Sequence, residues 1–353
     1  MSDHSIRIHY LSQEDLIRSG AFDLRMAIDA TKEALLQYQR KDILFPEKIV
    51  QEFDSVNKDR INCLPATLLP EKICGMKWVS VFPRNPRLYG TQNLSAIIVL
   101  SHIEKGYPVC VMDGTLCSNM RVAAIGATAA EYCARKDAES IGFIGAGEQA
   151  KMHLLGMKAV RPGLKVCRVA AQYPKEERDF IEKLSPLLPD MQFIACNSML
   201  ENAIRDSDII VTATSAQAPL LKPQWIKEGA FYSHVGGYEC DYRVITMASQ
   251  RICDDWTVVK HRLSTIARVY KEGLITDADI SANLVDLVSG RAPGRRNDEE
   301  FIVFTAAGLS YVDIAIANAM FRRAEKQNAG QLLPLQETTV FEHEGLSDFM
   351  SGV

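Results

Sequence analysis

Short apolar runs alternate with amphipathic stretches through the middle of the chain, from about residue 140 to residue 256. The apolar runs predict strands at 140–147, 165–172, 192–196, 208–215, 230–237 and 251–256. Helices are predicted between them, the first with Met152, Leu155, Met157 and Val160 on its inward face and the second within 174–184. Because strands alternating with helices form βαβ units, this block predicts a Rossmann-type, doubly wound parallel sheet of the α/β class.

The flanking regions have a different pattern. Strand-like runs at 75–82, 95–103 and 106–114 are joined by hairpin-length connections, which is typical of an α+β arrangement. A long helical pattern at 120–136 leads into the central block, and a strand at 301–308 precedes a helix at 311–327. We therefore expect a discontinuous outer domain for substrate binding and dimerisation (1–120 plus 312–353), with a nucleotide-binding domain (121–311) inserted in it.

Composition and charge exclude several classes of function. The 353 residues carry a formal net charge of −4, so a basic surface for nucleic acid or an anionic membrane is not expected. No apolar stretch approaches the roughly 20 residues that span a bilayer, and the N-terminus lacks the pattern of a signal peptide. The nine cysteines form no CxxC pair, which favours free thiols in a cytoplasmic protein and indicates no metal site.

A glycine pair follows the first predicted strand of the central block, in the segment Gly145-Ala146-Gly147-Glu148-Gln149. In this setting the first glycine permits a tight turn, and the second lets the backbone approach a pyrophosphate at the N-terminus of the next helix. The last position of the usual fingerprint is alanine, which the fingerprint tolerates. The turn predicts binding of a dinucleotide, NAD or NADP.

The second predicted strand of such domains normally ends in an acidic residue that binds the adenosine ribose. Here the strand ends in Gln172, followed by Lys175 and Arg178. These side chains would accept the 2′-phosphate of NADP. Alternatively, Lys175 and Arg178 form the solvated face of a charged helix, and both cofactors remain open.

Five segments together are similar to the ornithine cyclodeaminase/mu-crystallin family: GMKWVSVFPRNP (75–86), KGYPVCVMDGTLCSNMRVAA (105–124), IGFIGAGEQA (141–150), DIIVTATS (208–215) and PGRRNDEEFIVFTAAG (293–308). The resemblance implies a homodimer with an inserted Rossmann domain. Members of the family cyclise ornithine or lysine with internal hydride recycling, or catalyse net redox of amino and imino acids. A few are known as binding proteins.

The resemblance also implies three cationic substrate residues. Arg121 is expected to bind the α-carboxylate and to lie at the cofactor, since a guanidinium binds a carboxylate through two parallel hydrogen bonds. Lys77, on an otherwise apolar strand, is expected to exchange a proton with an imine or amine, because burial lowers the pKa of a lysine. Lys48 is expected to be a second carboxylate ligand.

The chain departs from cyclodeaminases at a position that carries their chemistry. The aspartate expected after the glycine pair at 236–237 is Tyr238, with Glu239 one place later, and the aspartate of a later strand is Thr305. The residues and lengths of these segments are more similar to the family branch that includes N-(2-amino-2-carboxyethyl)-L-glutamate dehydrogenase. We assign Glu239 as the acid/base carboxylate, with Tyr238 as an alternative hydrogen-bond donor. Alternatively, Glu239 merely begins a surface turn.

The remaining expected cofactor contacts follow from the same resemblance and from strand ends. They are Asn93, Thr212, Thr214, Val235 and Gly236. The sequence thus predicts an NAD(P)-dependent oxidoreductase acting on the CH–NH or C=N bond of a small amino-acid-like substrate, such as an amino acid, imino acid or opine-like secondary amine. The alternatives are an ornithine or lysine cyclodeaminase with catalytic NAD, and a mu-crystallin-like NADP-dependent ketimine reductase or binding protein.

Overall fold

The computed structural model describes residues 5–346 and residue 350. The strands are β1 Ile6–Leu11, β2 Ile43–Leu44, β3 Ile49–Asp54, β4 Asp59–Leu68, β5 Ile73–Val81, β6 Leu94–His102, β7 Pro108–Asp113, β8 Ser140–Ile144, β9 Val166–Ala170, β10 Gln192–Ala195, β11 Ile209–Thr212, β12 Gln217–Leu221, β13 Phe231–His234, β14 Tyr238–Cys240, β15 Gln250–Cys253, β16 Ala282–Asn283, β17 Ile302–Thr305 and β18 Gln331–Gln336. The helices are α1 Gln13–Arg18, α2 Leu24–Gln39, α3 Asn85–Tyr89, α4 Thr115–Cys133, α5 Glu148–Val160, α6 Pro174–Leu184, α7 Leu200–Ile204, α8 Tyr242–Thr246, α9 Trp256–Val259, α10 Thr265–Lys271, α11 Leu284–Val288 and α12 Ser310–Lys326.

The chain forms two compact units. The first comprises residues 1–22, 42–117 and 313–353, and the second comprises residues 23–41 and 118–312. The division falls within α4 and α12, and it places α2 in the second unit, whereas the sequence pattern assigned that segment to the outer domain. The functional boundaries at 120 and 312 stay a prediction.

The first unit contains an eight-stranded sheet in the order β18-β1-β7-β6-β5-β4-β2, with β3 paired to β4. All of its pairings are antiparallel except that of β1 with β7. The connection from β7 to α4 explains the MDGT segment: the Asp113 carboxylate accepts the N–H groups of Thr115 and Leu116, at 3.2 and 2.8 Å, and so caps the helix. Gly114 lies close to β6, where an added Cβ would be 3.0 Å from the Cβ of Ala96.

The second unit contains an eight-stranded parallel sheet in the order β10-β9-β8-β11-β13-β17-β15-β16. Its first five strands follow the chain order 3-2-1-4-5 of a doubly wound nucleotide-binding sheet, so the order reverses between β8 and β11. The predicted α/β class and parallel sheet are confirmed. Ligands of such sheets bind outside the carboxyl ends of the strands at this reversal.

Helix α5 packs a different face from the one predicted. Met157 and Val160 are buried as expected, but Met152 and Leu155 are only partly buried, while His153 and Leu154 are buried. The pattern of large apolar residues did not reveal this face, because the buried face of α5 also includes small and polar residues.

All nine cysteines have free thiols, and seven of them are buried. Burial raises the pKa of Cys110, Cys133 and Cys240 to about 12, so these thiols are packed as small apolar groups. Within the described part of the chain, no helix is both long enough and apolar enough to cross a membrane.

Candidate active site

The glycine turn lies at the topological reversal of the parallel sheet. Gly145 follows β8 with φ +103°, and an added Cβ would lie 2.5 Å from the carbonyl oxygen of Ala213, so only glycine fits. Gly147 caps the N-terminus of α5, and an added Cβ there would meet no atom within 4 Å. The second glycine therefore presents bare backbone to open space at a helix N-terminus, which is the geometry that a pyrophosphate requires.

The other residues of the turn are placed around this cradle. Glu148 is exposed and pairs with Lys151 at 2.6 Å. The Gln149 side chain donates to the Asn119 side-chain oxygen at 2.7 Å, which fixes the start of α5. Ala146 is partly buried within the turn itself.

The end of β9, where such domains bind adenosine, lies beside a buried carboxylate that the sequence pattern did not identify. Glu177 is fully buried, and its side chain accepts the N–H groups of Ala171, Asn197 and Ser198 at 3.0, 2.7 and 2.7 Å. This carboxylate ties the segments that follow β9 and β10 to one another, so it is not available to a ribose. Gln172, which follows β9, and Lys175, in the first turn of α6, are both exposed.

The carboxyl ends of β11 and β13 converge on one carboxylate, that of Glu239. One oxygen accepts the N–H and the hydroxyl of Thr214 at 2.6 and 2.7 Å, and the other accepts the Thr212 hydroxyl at 2.8 Å and the Gly236 N–H at 2.7 Å. Glu239 is 0% exposed. A carboxylate has about four acceptor positions, and here protein donors fill them all.

This geometry contradicts the surface-turn interpretation of Glu239. It also explains the glycine at 236, because an added Cβ would lie 2.4 Å from the Glu239 carboxyl carbon. The acid/base role of Glu239 stays a prediction, and the contacts favour instead a role in holding the two loops together.

Two further polar side chains lie beside Glu239. The Nδ1 of His234 is 3.3 Å from the Thr305 hydroxyl, and its Nε2 is 3.7 Å from the Glu239 carboxylate. Burial lowers the pKa of His234, and the nearby Glu239 opposes that shift. Val235 follows β13, Tyr238 begins β14, and both are partly buried. The Arg268 guanidinium lies 4.6 Å from the centre of the Tyr238 ring.

Arg121 lies partly buried at a second turn of the same unit. An added Cβ at Gly308, which has φ +86°, would be 2.8 Å from a terminal nitrogen of Arg121. The N–H of Gly308 and that of Ala307 donate to the Asp254 carboxylate at 2.8 and 2.9 Å. Burial raises the pKa of Asp254, while these hydrogen bonds and the charge of Arg121 oppose the rise. The sequence pattern missed Asp254, whose only local signal is an acid directly after an apolar strand.

The remaining predicted residues lie in the first unit. Lys77 is 1% exposed on β5, and its ammonium is 2.7 Å from the carboxylate of Asp313 in α12. The sequence pattern missed this partner because 236 residues separate the two. Lys48 is partly buried between β2 and β3, and Asn93 is exposed directly before β6, where its carbonyl accepts the Phe82 N–H.

Comparisons with known proteins agree with this arrangement. The chain is 29% identical to N-((2S)-2-amino-2-carboxyethyl)-L-glutamate dehydrogenase from Staphylococcus aureus, over 92% of this chain and 98% of that protein. It is 30% identical to alanine dehydrogenase from Archaeoglobus fulgidus, over 91% and 96%. The structure of Thermococcus litoralis Δ1-pyrroline-2-carboxylate reductase, in complex with NADH and L-proline, superposes with a TM-score of 0.86 at 28% identity, covering 92% of this chain and 99% of that one.

The model of the ornithine cyclodeaminase/mu-crystallin family matches residues 13–328. Together with the 30% identity to the archaeal alanine dehydrogenase, this match confirms the resemblance found in the sequence motifs. The chain belongs to the ornithine cyclodeaminase/mu-crystallin family.

Proposed function

We propose that the protein is an NAD(P)-dependent oxidoreductase that interconverts the CH–NH and C=N forms of a small amino-acid-derived substrate. The observation that carries the proposal is the cradle formed by Gly145 and Gly147 at the reversal of the parallel sheet. The three relatives described above, two named as dehydrogenases and one as a reductase, support the same chemistry.

The residues of the second unit divide between cofactor and substrate. The turn from Gly145 to Gln149 would hold the pyrophosphate of the cofactor through its backbone N–H groups, except that of Gly145, which donates to the Ala170 carbonyl oxygen at 2.8 Å. The loops that Glu239 ties together would hold its nicotinamide end. When bound, the cofactor supplies or accepts the hydride. Arg121 binds the α-carboxylate through its guanidinium, which orients the α-carbon. Tyr238, at the start of β14, is the alternative hydrogen-bond donor.

Lys77 is the proposed proton donor. Lys77 carries an ammonium group that the buried Asp313 carboxylate holds in place. It donates this proton to the substrate nitrogen during reduction and recovers it during oxidation. Lys48 binds a carboxylate, and Asn93 contacts the cofactor.

Cofactor choice depends on the end of β9. An exposed Gln172 and Lys175 stand where a ribose-binding acid is usual, so both NAD and NADP are accepted in this proposal. Titration of the protein with each cofactor, followed by fluorescence, compares the two affinities. A Lys175→Ala variant that weakens NADP binding and leaves NAD binding unchanged would support contact with the 2′-phosphate.

We also propose that the protein is a homodimer. Large apolar side chains are exposed on β3 and β18, an arrangement typical of a covered surface: Ile49, Val50, Phe53, Leu332, Leu333 and Leu335. Light scattering is expected to give twice the chain mass of 39.3 kDa. A chain mass at micromolar concentration would contradict the dimer. The free, mostly buried cysteines favour the cytoplasm as its compartment.

The function is tested by incubating the protein with NAD or NADP and a panel of L-amino acids and secondary amines. We expect absorbance at the reduced-nicotinamide band to rise in step with substrate consumed. Ammonia release from ornithine or lysine with flat absorbance would show a cyclodeaminase instead. Saturable cofactor binding without turnover of any amino acid, keto acid or imine pair would show a binding protein.

A further inference from the structure

The segment from residue 260 to residue 271 contains three buried polar atoms without hydrogen-bond partners among the described residues. They are the Nε of Arg262, the Oγ of Ser264 and the Nε of Arg268. Ser264 is only 7% exposed, and both arginines are partly buried. Most buried polar atoms in proteins have a partner, because an unsatisfied donor loses its hydration without compensation. Three such donors within seven residues indicate that a ligand completes this segment.

The segment packs against the turn that follows β13. The N–H of Thr265 donates to the carbonyl oxygen of Gly237 at 2.9 Å, and the carbonyl oxygen of Leu263 would lie 3.7 Å from an added Cβ at Gly237. Arg268 stacks on Tyr238 directly after this glycine. The segment that carries the unsatisfied donors therefore lies beside the loop that we assign to the nicotinamide and substrate.

The position separates this group from the pyrophosphate cradle. The cradle follows β8, and β13 is two strands farther along the sheet, about 10 Å away at the usual strand spacing. A dinucleotide phosphate bound at Gly145 would not also satisfy donors beside Gly237. The anion expected beside β13 thus belongs to the substrate.

The charges of the segment point to an anionic group. Neither Arg262 nor Arg268 has a carboxylate within 4.0 Å among the described residues, so both guanidinium charges lack a salt-bridge partner. Burial lowers the pKa of Arg262, and the charge of Asp254 opposes the shift. The Asp254 carboxylate also accepts the N–H of Gly308, the residue against which Arg121 lies. Arg121 and Arg262 are therefore neighbours of the same buried carboxylate.

We propose that Arg262, Ser264 and Arg268 form a second anion subsite, which binds a carboxylate of the substrate other than the α-carboxylate held by Arg121. This inference rests on the proposed function and narrows it. The substrate is then an amino-acid-derived secondary amine or imine with two or more carboxylates, rather than a simple monocarboxylic amino acid.

The test compares two substrates that differ in one carboxylate: N-(1-carboxyethyl)-L-alanine and N-ethyl-L-alanine. For the wild-type protein, we expect kcat/KM with the cofactor to be higher for the dicarboxylate by roughly 100-fold, since charge-assisted hydrogen bonds to a carboxylate are strong. Arg262→Gln and Arg268→Gln are each expected to lower kcat/KM for the dicarboxylate by roughly 10- to 100-fold, chiefly through KM. Ser264→Ala is expected to have a smaller effect in the same direction.

Both arginine variants should lower kcat/KM for the dicarboxylate at least tenfold more than for N-ethyl-L-alanine, a difference between substrates that a merely structural role would not produce. Arg243→Gln is the matched control, since the Arg243 side chain is 72% exposed in the same unit. Equal losses for the two substrates, or a wild type without preference for the dicarboxylate, would overturn the subsite.

A separate binding measurement distinguishes failure of the subsite from failure of the proposed function. Calorimetric titration of N-(1-carboxyethyl)-L-alanine into the wild type and the Arg262→Gln variant, both saturated with cofactor, requires no turnover. Binding that is weakened in the variant supports the subsite even if no hydride transfer occurs. Binding of equal strength in both proteins, or none in the wild type, refutes the subsite and leaves the oxidoreductase proposal to its own test.

Discussion

Replacing Glu239 by glutamine tests whether this carboxylate organises the cofactor loops or transfers protons. Glutamine keeps one oxygen, which can still accept the N–H and the hydroxyl of Thr214. Its amide nitrogen would face the Gly236 N–H, a donor against a donor, while the Thr212 hydroxyl can rotate to accept. One buried backbone donor is therefore left unsatisfied, at a cost of about 1–3 kcal/mol.

Alanine at the same position removes the acceptor for all four donors. We expect this variant to lose about 3–5 kcal/mol of unfolding free energy, near the upper end for single substitutions. Urea denaturation measures both losses, and a fluorescence titration measures the dissociation constant of the cofactor. Glu228→Gln, an exposed carboxylate of the same unit, is the matched control and should change neither.

The kinetic result separates the two roles. If Glu239 holds the loops, the Glu239→Gln variant loses stability and cofactor affinity, and its kcat at saturation stays within roughly tenfold of wild type. If it is the acid/base group, stability and affinity are unchanged and kcat falls by roughly 100-fold or more, with loss of one limb of the pH profile. The second outcome would refute the reasoning from its four hydrogen bonds.

Three further predictions follow from buried contacts. Gly145→Ala should lower both the unfolding free energy and the cofactor affinity, since the new Cβ would lie 2.5 Å from a carbonyl oxygen. Gly147→Ala should lower the cofactor affinity alone, since the new Cβ would meet no atom within 4 Å. Urea denaturation and cofactor titration of both variants measure this contrast, and equal losses of stability would contradict it. Asp313→Asn removes the carboxylate that faces the Lys77 ammonium and should lower the unfolding free energy, measured in urea, by about 3–5 kcal/mol. The double variant Lys77→Met/Asp313→Leu, which removes both charges, should recover part of that loss. A double variant less stable than Asp313→Asn would show that the ion pair is not the cause. Burial lowers the pKa of His153 to about 4, below its ordinary 6.5, so the neutral imidazole stabilises the fold fully above pH 6.5. As the pH falls towards 4, up to roughly 3 kcal/mol of unfolding free energy is lost. A His153→Gln variant should lose less unfolding free energy between pH 6.5 and 4 than the wild type, and an equal loss would assign the effect to other groups.

The fold was predictable where the sequence signal is local. Strands buried on both faces read as continuous apolar runs, and the helices between them are amphipathic, so the α/β class and the parallel central sheet could be predicted. The exposed strands β3 and β18 carry no such signal, since nearly every residue in each is exposed. The prediction of the buried face of α5 was wrong because Ala150, His153 and Gly156, which lack large apolar side chains, occupy buried positions.

The candidate site divides in the same way. The glycine turn is visible in the sequence because a strand, two glycines and a helix are adjacent along the chain. Glu177, Asp254 and Asp313 were missed because most of their partners lie between 6 and 236 residues away. Most of these partners are backbone N–H groups, which any residue except proline provides. The sequence assigned Glu239 an acid/base role, which stays a prediction, and its hydrogen bonds became apparent only in the structure.

The central claim, net hydride transfer at the carbon that bears nitrogen, is tested most directly with an isotope. The protein is incubated with oxidised cofactor and a substrate carrying deuterium at that carbon, chosen from whichever amino acid or secondary amine supports turnover. We predict one deuterium in each reduced cofactor molecule and one reduced cofactor for each substrate consumed, as seen by mass spectrometry. Cofactor that remains oxidised, with the label retained in a cyclised product and ammonia released, would contradict the account.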